Sequence, residues 1–140
     1  MRPILFDTSV YIAALRRGSD AILALRRSEP SATLWLSSVV LEELYAGAGQ
    51  KERAAIERLE RDFDRARRIV VPNLGDWAQT GKTLARLAAK YGYEQIGRGR
   101  ITNDALIALS TARLGIKVIT TNARDFGRLA EFFSFTWSVL

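Results

Sequence analysis

Chemistry in this chain has to be done with oxygen and with cationic side chains. Its 140 residues include no histidine and no cysteine. That excludes imidazole acid–base pairs, Ser-His-Asp triads, thiolate nucleophiles, disulfides and Cys/His zinc sites. What remains is carboxylates, hydroxyls, Lys and Arg, and metals held by oxygen ligands. Acids on solvated helix faces carry little information, so the informative acids are those placed where solvent is not their natural surrounding. Four stand out: Asp7, Glu43, Asp104 and Asp125.

Asp7 ends the apolar run Ile4-Leu5-Phe6, which reads as a short buried strand. In open α/β sheets ligands bind outside the carboxyl ends of the strands, so Asp7 is placed to face that crevice. Taken alone, it reads equally well as a helix-capping or Asx-turn acid. Glu42 and Glu43 fall in a helix after a second strand. At about 100° per residue, Val40, Leu41, Leu44 and Ala48 form one face. Glu43 lies on the rim of that face beside Gly47, and Glu42 lies opposite. Glu43 is therefore the candidate and Glu42 the solvated acid, with a dipole-favoured surface acid as the plainer reading of Glu43. Asp104 is expected in the first turn of a helix whose Ala105, Leu106, Ile107, Ala108, Leu109 and Ala112 surround it with apolar side chains. A helix apolar all round is buried, and a buried carboxylate needs a cation or a basic partner. Favourable interaction with the helix dipole is the alternative. Asp125 follows another strand in Thr120-Thr121-Asn122-Ala123-Arg124-Asp125-Phe126, where Thr121 and Asn122 add oxygen donors. A helix-start acid paired with Arg128 is its plainer reading.

The elements that must position these acids alternate short β-like runs with helices. Strands are expected at Ile4–Phe6, Thr33–Leu36, Arg68–Val71, Lys117–Thr120 and Phe135–Val139. Helices are expected from Thr8 or Ser9 to Gly18, from Ser19 or Asp20 to about Ser28, and from Ser37 or Ser38 to Gly47. Further helices span Lys51–Arg67, with Ile56, Leu59, Phe63 and Ala66 as its stripe, Asp76–Tyr91, and Asn103–Leu114 capped by Thr102 and stopped by Gly115. A short helical piece covers Ala123–Phe133. Strands alternating with helices imply an α/β fold: a three-layer sandwich with a short parallel central sheet flanked by helices. One domain over residues 1–140 is expected. All four acids then fall just after a strand or near the start of a helix, at one edge of the sheet. Carboxylates gathered there repel one another, and hard divalent cations such as Mg²⁺ or Mn²⁺ offset that repulsion with oxygen ligands. Such a centre suits phosphoryl chemistry, with a metal-activated water as nucleophile.

Hydrophobic residues make up 48% and charged residues 26% of the chain, the balance of a globular protein rather than a disordered one. The formal net charge of +6 is compatible with an anionic partner such as nucleic acid. The first residues have no signal-peptide pattern and no run approaches the ~20 apolar residues of a membrane span, so a cytoplasmic protein without a membrane partner is expected.

Four stretches together resemble a PIN domain, and within it the VapC toxin ribonucleases of bacterial toxin–antitoxin pairs. They are Ile4-Leu5-Phe6-Asp7-Thr8-Ser9-Val10, Ser38-Val39-Val40-Leu41-Glu42-Glu43-Leu44-Tyr45-Ala46-Gly47, Asn103-Asp104-Ala105-Leu106-Ile107-Ala108, and Thr120 to Phe126. The resemblance spans essentially the whole chain. It implies a PIN-like fold and an acidic quartet, Asp7, Glu43, Asp104 and Asp125, that binds Mg²⁺ or Mn²⁺ and cleaves single-stranded or loop RNA. Glu43 takes the second position because it precedes Leu44-Tyr45-Ala46-Gly47. Asp7 and Asp104 would be the principal ligands, Glu43 and Asp125 would support them or hold a second ion, and Thr8 and Asn122 would be supporting polar groups. A homodimer and a cognate VapB-like antitoxin, inserting a segment into the active-site groove, are also implied.

For RNA contacts the preferred residues are Arg98, Arg100 and Arg124, which lie near the acids along the chain and carry the charge that phosphates need. The Arg-rich Lys51–Arg68 helix carries acids as well and reads as a salt-bridged solvated face. Trp35, Trp77 and Trp137 read as core or interface residues. A haloacid-type phosphatase needs a second acid two residues after the first, where this chain has Ser9. A receiver domain needs an early acidic pair and a late Lys, which are not found in order. The alternatives kept are a PIN-domain nuclease with an RNA-processing rather than a toxin role, and a non-catalytic RNA- or protein-binding domain whose acids only cap helices.

Overall fold

A run of residues apolar on both faces belongs in the middle of a covered sheet, and that is where Ile4, Leu5 and Phe6 lie, each no more than 3% exposed. The computed structural model describes residues 2–94 and 100–140. The first strand, β1 (Arg2–Phe6), is flanked by β2 (Ala32–Ser37) and β4 (Lys117–Thr120), and outside these run β3 (Ile69–Val70) and β5 (Trp137–Val139). The sheet order is β3-β2-β1-β4-β5 and every pairing is parallel. Leu5 lies opposite Trp35 on one side and Val118 on the other.

Parallel neighbours need crossovers, and helices supply them. Helices α1 (Thr8–Arg16) and α2 (Ser19–Arg27) join β1 to β2, while α3 (Ser38–Gly47) and α4 (Gln50–Arg65) join β2 to β3. The chain then returns past β1 through α5 (Leu74–Tyr91) and α6 (Arg100–Leu114) to β4, and α7 (Ala123–Leu129) leads to β5. Right-handed crossovers that run in opposite directions along a sheet put their helices on opposite faces. Accordingly α1 packs on α2 and α3, and α3 on α4, while α5, α6 and α7 pack on one another. The result is the expected three-layer α/β sandwich. The reversal of direction falls between β1 and β4, which makes their carboxyl ends the topological switch point where such sheets bind ligands.

The helices differ from their sequence expectation at the ends. Helix α4 buries Ile56, Leu59 and Phe63, but Ala66 is exposed. The chain leaves the helix there through Arg67, which takes a left-handed φ of 56°. The N–H of Arg68 donates to the Phe63 carbonyl and that of Arg67 to the Asp64 carbonyl, the paired bonds of a Schellman ending. Helix α6 ends in the same way at Gly115, with φ 69°. Helix α5 starts earlier than expected because Asn73 and Asp76 form a reciprocal capping box. Asp76 is buried and also accepts the Arg113 guanidinium at 2.9 Å, which ties the start of α5 to the end of α6.

The largest shift is at α6, which is helical from Arg100 onward, so Thr102 lies inside it rather than capping it. The helix buries Ala105, Leu106, Ile107 and Ala108 completely or nearly so. It also buries Ser110 and Thr111, whose hydroxyls donate back to the carbonyls of Leu106 and Ile107 at 2.7 Å. Those polar groups are thereby satisfied without a tertiary partner. Trp35 and Trp137 pack against the core, whereas Trp77 is 56% exposed. The α4 charges pair across elements, with Arg26 donating to Asp62 at 2.9 Å and Tyr45 to Glu60 at 2.6 Å.

Candidate active site

Asp7 occupies the residue between β1 and α1, the geometric N-cap, yet its side chain makes no capping bond. Its carboxylate is used elsewhere. It is 3% exposed, and its Oδ2 accepts from the Ser9 hydroxyl at 2.9 Å and from the Thr120 hydroxyl at 2.8 Å. Each hydroxyl also accepts a backbone N–H, Ser9 from Thr121 at 3.1 Å and Thr120 from Asn122 at 2.9 Å. A hydroxyl that accepts from an amide has its proton to give, so both protons point at the same carboxylate oxygen. The clamp exists because β1 and β4 are neighbours, and the Asp7 N–H donating to the Ile119 carbonyl at 2.9 Å holds them in register.

Glu43 is reached from the other side. Ser37 caps α3 by accepting from the Val39 N–H, which fixes the start of the helix. Glu43, in its second turn, is half-buried, with Glu42 exposed as the helical wheel implies. The Thr8 hydroxyl donates to Glu43 Oε1 at 2.7 Å. Burial pushes the Glu43 carboxyl above the ordinary range. Bonds from Thr8 and Asn103 pull against that shift, and the nearby charges of Asp7 and Glu42 add to it. Beside Glu43 opens a trough of about 270 Å³ lined by Ile12, Leu15, Arg16 and Glu52 among others.

Asp104 is 5% exposed. Because α6 is helical from Arg100, Asp104 lies beyond the first turn, where no acid occurs, so the dipole reading of this residue loses its basis. Asn122 caps α7 by accepting from the Asp125 N–H at 3.3 Å. Its Nδ2 donates to Asp125 Oδ2 at 2.9 Å and to Asp104 Oδ2 at 3.4 Å. One amide thus joins two of the four acids, and its own backbone N–H joins them to the Thr120 clamp on Asp7. Arg124 is largely exposed, with its Nε 3.9 Å from Asp125 Oδ1. Arg98 lies outside the described residues, as does the side chain of Arg100. Sequence reasoning missed Ser9, Thr120 and Asn103. Ser9 and Thr120 lie within the motif stretches, but their partnership depends on the pairing of two strands far apart in sequence.

The donors are of the kind a hard divalent cation takes. Among the described residues neither Asp7 nor Glu43 has an ion-pair partner, although Asp7 is buried and its charge raises Glu43. A positive charge between them would relieve both. The acids are nevertheless not drawn into a cage: among the described residues no group of three or more converges closely enough to hold an ion by itself. That suits an ion held through one or two carboxylates and completed by water, as Mg²⁺ commonly is, better than one enclosed by protein.

Residues 4–132 match the PIN domain family. Among curated proteins no sequence match is found. Solved structures similar to the chain include DNA-bound VapBC from Salmonella typhimurium, at 22% identity and a TM-score of 0.69, covering 99% of this chain and 98% of that one. VapBC-1 from nontypeable Haemophilus influenzae is 27% identical with a TM-score of 0.61, covering 97% and 96%. VapBC2 from Rickettsia felis, bound to a promoter DNA fragment, is 20% identical with a TM-score of 0.59, covering 98% of each chain. Among the described residues no helix is long and apolar enough to cross a membrane. With the family match running over nearly the whole chain and the sheet switching direction at Asp7, this chain belongs to the PIN-domain family of nucleases.

Proposed function

We propose that the chain is an Mg²⁺- or Mn²⁺-dependent endoribonuclease acting in the cytoplasm as the toxin of a toxin–antitoxin pair. The observation that carries this reading is the placement of two buried carboxylates, Asp7 and Asp104, on either side of one hydrogen-bonded network at the switch point of the sheet. An acid that only capped a helix would be bonded to helix N–H groups, whereas Asp7, at the start of α1, makes no such bond and accepts two hydroxyls instead.

Asp7 and Asp104 would hold the cation, with Glu43 and Asp125 completing the pocket. A bound divalent cation supplies positive charge that offsets the carboxylates and stabilises charge developing on the phosphate. The protein's own part is positional. Ser9 and Thr120 fix one oxygen of Asp7, Thr8 fixes Glu43, and Asn122 sets Asp104 relative to Asp125. Water attack that expels the 3′ oxygen leaves a 5′-phosphate and a 3′-hydroxyl, and the lack of histidine excludes a paired-imidazole route through the 2′-hydroxyl. The toxin assignment is supported by the likeness to the VapBC structures. A VapB-like antitoxin would insert a segment at the trough beside Glu43, and the active form would be a homodimer.

The test is incubation of purified protein with total RNA plus Mg²⁺ or Mn²⁺, beside EDTA and an identically prepared Asp104→Asn protein. Discrete metal-dependent fragments from the wild type alone support the reading, and equal cleavage by both proteins sinks it. Expression that arrests growth with the wild type and not with Asp104→Asn separates a toxin from an RNA-processing nuclease.

A further inference from the structure

Over its first two turns helix α5 is amphipathic the opposite way round. The side chains it buries there are Asp76, Thr80 and Thr83, whereas Leu74, Trp77, Ala78 and Gly81 are exposed. Those four stand at i, i+3, i+4 and i+7, the spacing with which a helix faces something apolar. Leu74 is 85% exposed, and Val71, three residues before it, is 61% exposed. Gly81 belongs to the same stripe. A glycine weakens a helix interior, and the chain itself does not use the room it leaves. Among the described residues nothing outside the helix's own backbone lies within 4 Å of where a Gly81 Cβ would be.

Charge and area both favour a second copy of the chain as the cover for this face. The chain carries a net charge of +6, so two copies that meet on an ordinary face bring like charges together. From Ile69 to Gly81 the sequence has one charged residue, Asp76. It is buried and paired with Arg113, which also donates to the Val71 carbonyl at 3.3 Å, so both charges at this edge are matched within the chain. A nucleic acid finds no cation on the stripe, and a second copy meets no repulsion. Val71, Leu74 and Trp77 leave roughly 400 Å² of apolar surface open. A standard interface takes about 800 Å² from each partner, about 65% of it apolar in homodimers. The stripe supplies most of that apolar share.

We propose that two copies of the chain pair through this stripe, their α5 helices antiparallel about a two-fold axis between Trp77 and Ala78. That axis sets Trp77 of each copy against Ala78 of the other, and Leu74 against Gly81. Large side chains then meet small ones in both pairs, and the contact is isologous, closing on itself. The pairing rests on the homodimer reading above and gives that dimer its face.

The test measures the mass of the full chain by sedimentation across concentration. The wild type should be a dimer at micromolar concentrations. Trp77→Lys removes a buried aromatic anchor from both halves and should raise the dimer Kd at least about 100-fold. Gly81→Leu improves the helix but fills the room that Leu74 needs, so it should weaken the dimer too. Leu23→Lys, the same kind of change on an exposed apolar residue of α2, should match wild type. Circular dichroism confirms that each variant is folded. The chain has no cysteine, so a mixture of Leu74→Cys and Gly81→Cys proteins treated with a short bis-maleimide should give a mixed crosslink that neither gives alone. A monomeric wild type, a dimer that survives Trp77→Lys or Gly81→Leu, equal weakening by Leu23→Lys, or crosslinks within either cysteine variant alone overturns the pairing. RNA cleavage is read separately. A chain that cleaves RNA and stays monomeric keeps the nuclease and loses this face, and Trp77-dependent dimers without cleavage do the reverse.

Discussion

The Thr120 hydroxyl donates to Asp7 Oδ2 at 2.8 Å, joining the carboxyl end of β4 to the carboxyl end of β1. The bond is buried and its donor is fixed by the Asn122 N–H. It therefore sets the rotamer of the first acid from a strand 113 residues away in sequence. Groups that orient a metal-binding carboxylate typically change metal affinity or activity by about 10- to 100-fold when removed. Thr120→Val should therefore lower RNA cleavage by about that factor and raise the Mn²⁺ concentration needed for half-maximal activity, while Thr120→Ser keeps both near wild type. Metal titration of the cleavage rate reads this directly. A Thr120→Val protein with unchanged metal dependence would remove the positioning role.

How far the site was legible in the sequence follows from the same bond. Asp7 was legible because an apolar run ends on it, and Glu43 because helical periodicity separates it from Glu42. The clamp was not, since nothing in the order of residues states that β4 rather than β3 pairs with β1. The burial of Asp104 was legible from the apolar helix around it, but its position within that helix was not. Asn103 looked like the first helical residue after a capping Thr102, but α6 is helical from Arg100, and that moves the acid out of the first turn. Helix ends are decided by backbone bonds that local propensity only biases. The strand and helix alternation was legible because parallel strands buried on both faces must be apolar throughout.

Asp104 offers a sharper test of the cation. In the proposed site its charge holds the ion, so Asp104→Asn should lose at least about 100-fold in cleavage, the loss of several kcal/mol of electrostatic stabilisation. Its fold should be kept, because the amide retains the shape. Ligand binding raises the melting temperature of a native state. Millimolar Mn²⁺ should thus stabilise the wild type against heat and leave Asp104→Asn unmoved. Equal shifts in the two proteins would place the ion elsewhere.

Arg67 gives a prediction on stability alone. It is the described non-glycine residue with positive φ, at 56°, and occupies the position after α4 where glycine is the usual occupant. A left-handed conformation costs a non-glycine residue about 1–2 kcal/mol, and glycine's extra unfolded-state freedom returns part of that. Arg67→Gly should therefore stabilise the chain by roughly 0.5–1 kcal/mol, read as a higher denaturant midpoint with an unchanged slope. Destabilisation would mean that the Arg67 side chain makes a contribution larger than its backbone strain.

Glu43 couples the site to pH. Burial, reinforced by the charges of Asp7 and Glu42 and opposed by the bonds from Thr8 and Asn103, raises its folded pKa above the ordinary carboxylate value. The folded chain then keeps this proton to higher pH than the unfolded chain does. Below the ordinary value both states are protonated and Glu43 has no effect on stability through its charge. Between the ordinary and the raised value the unfolded state ionises first, so stability falls as pH rises, and above the raised value the loss is complete and constant. Glu43→Gln removes the ionisation while adding a pH-independent offset from altered hydrogen bonding. In EDTA, the stability of Glu43→Gln relative to wild type should increase with pH through that window and then level off. Denaturant melts across the window measure it. A flat or falling difference would show that the bonds from Thr8 and Asn103 match or outweigh burial, and that Glu43 gives up its proton at least as readily as an exposed acid.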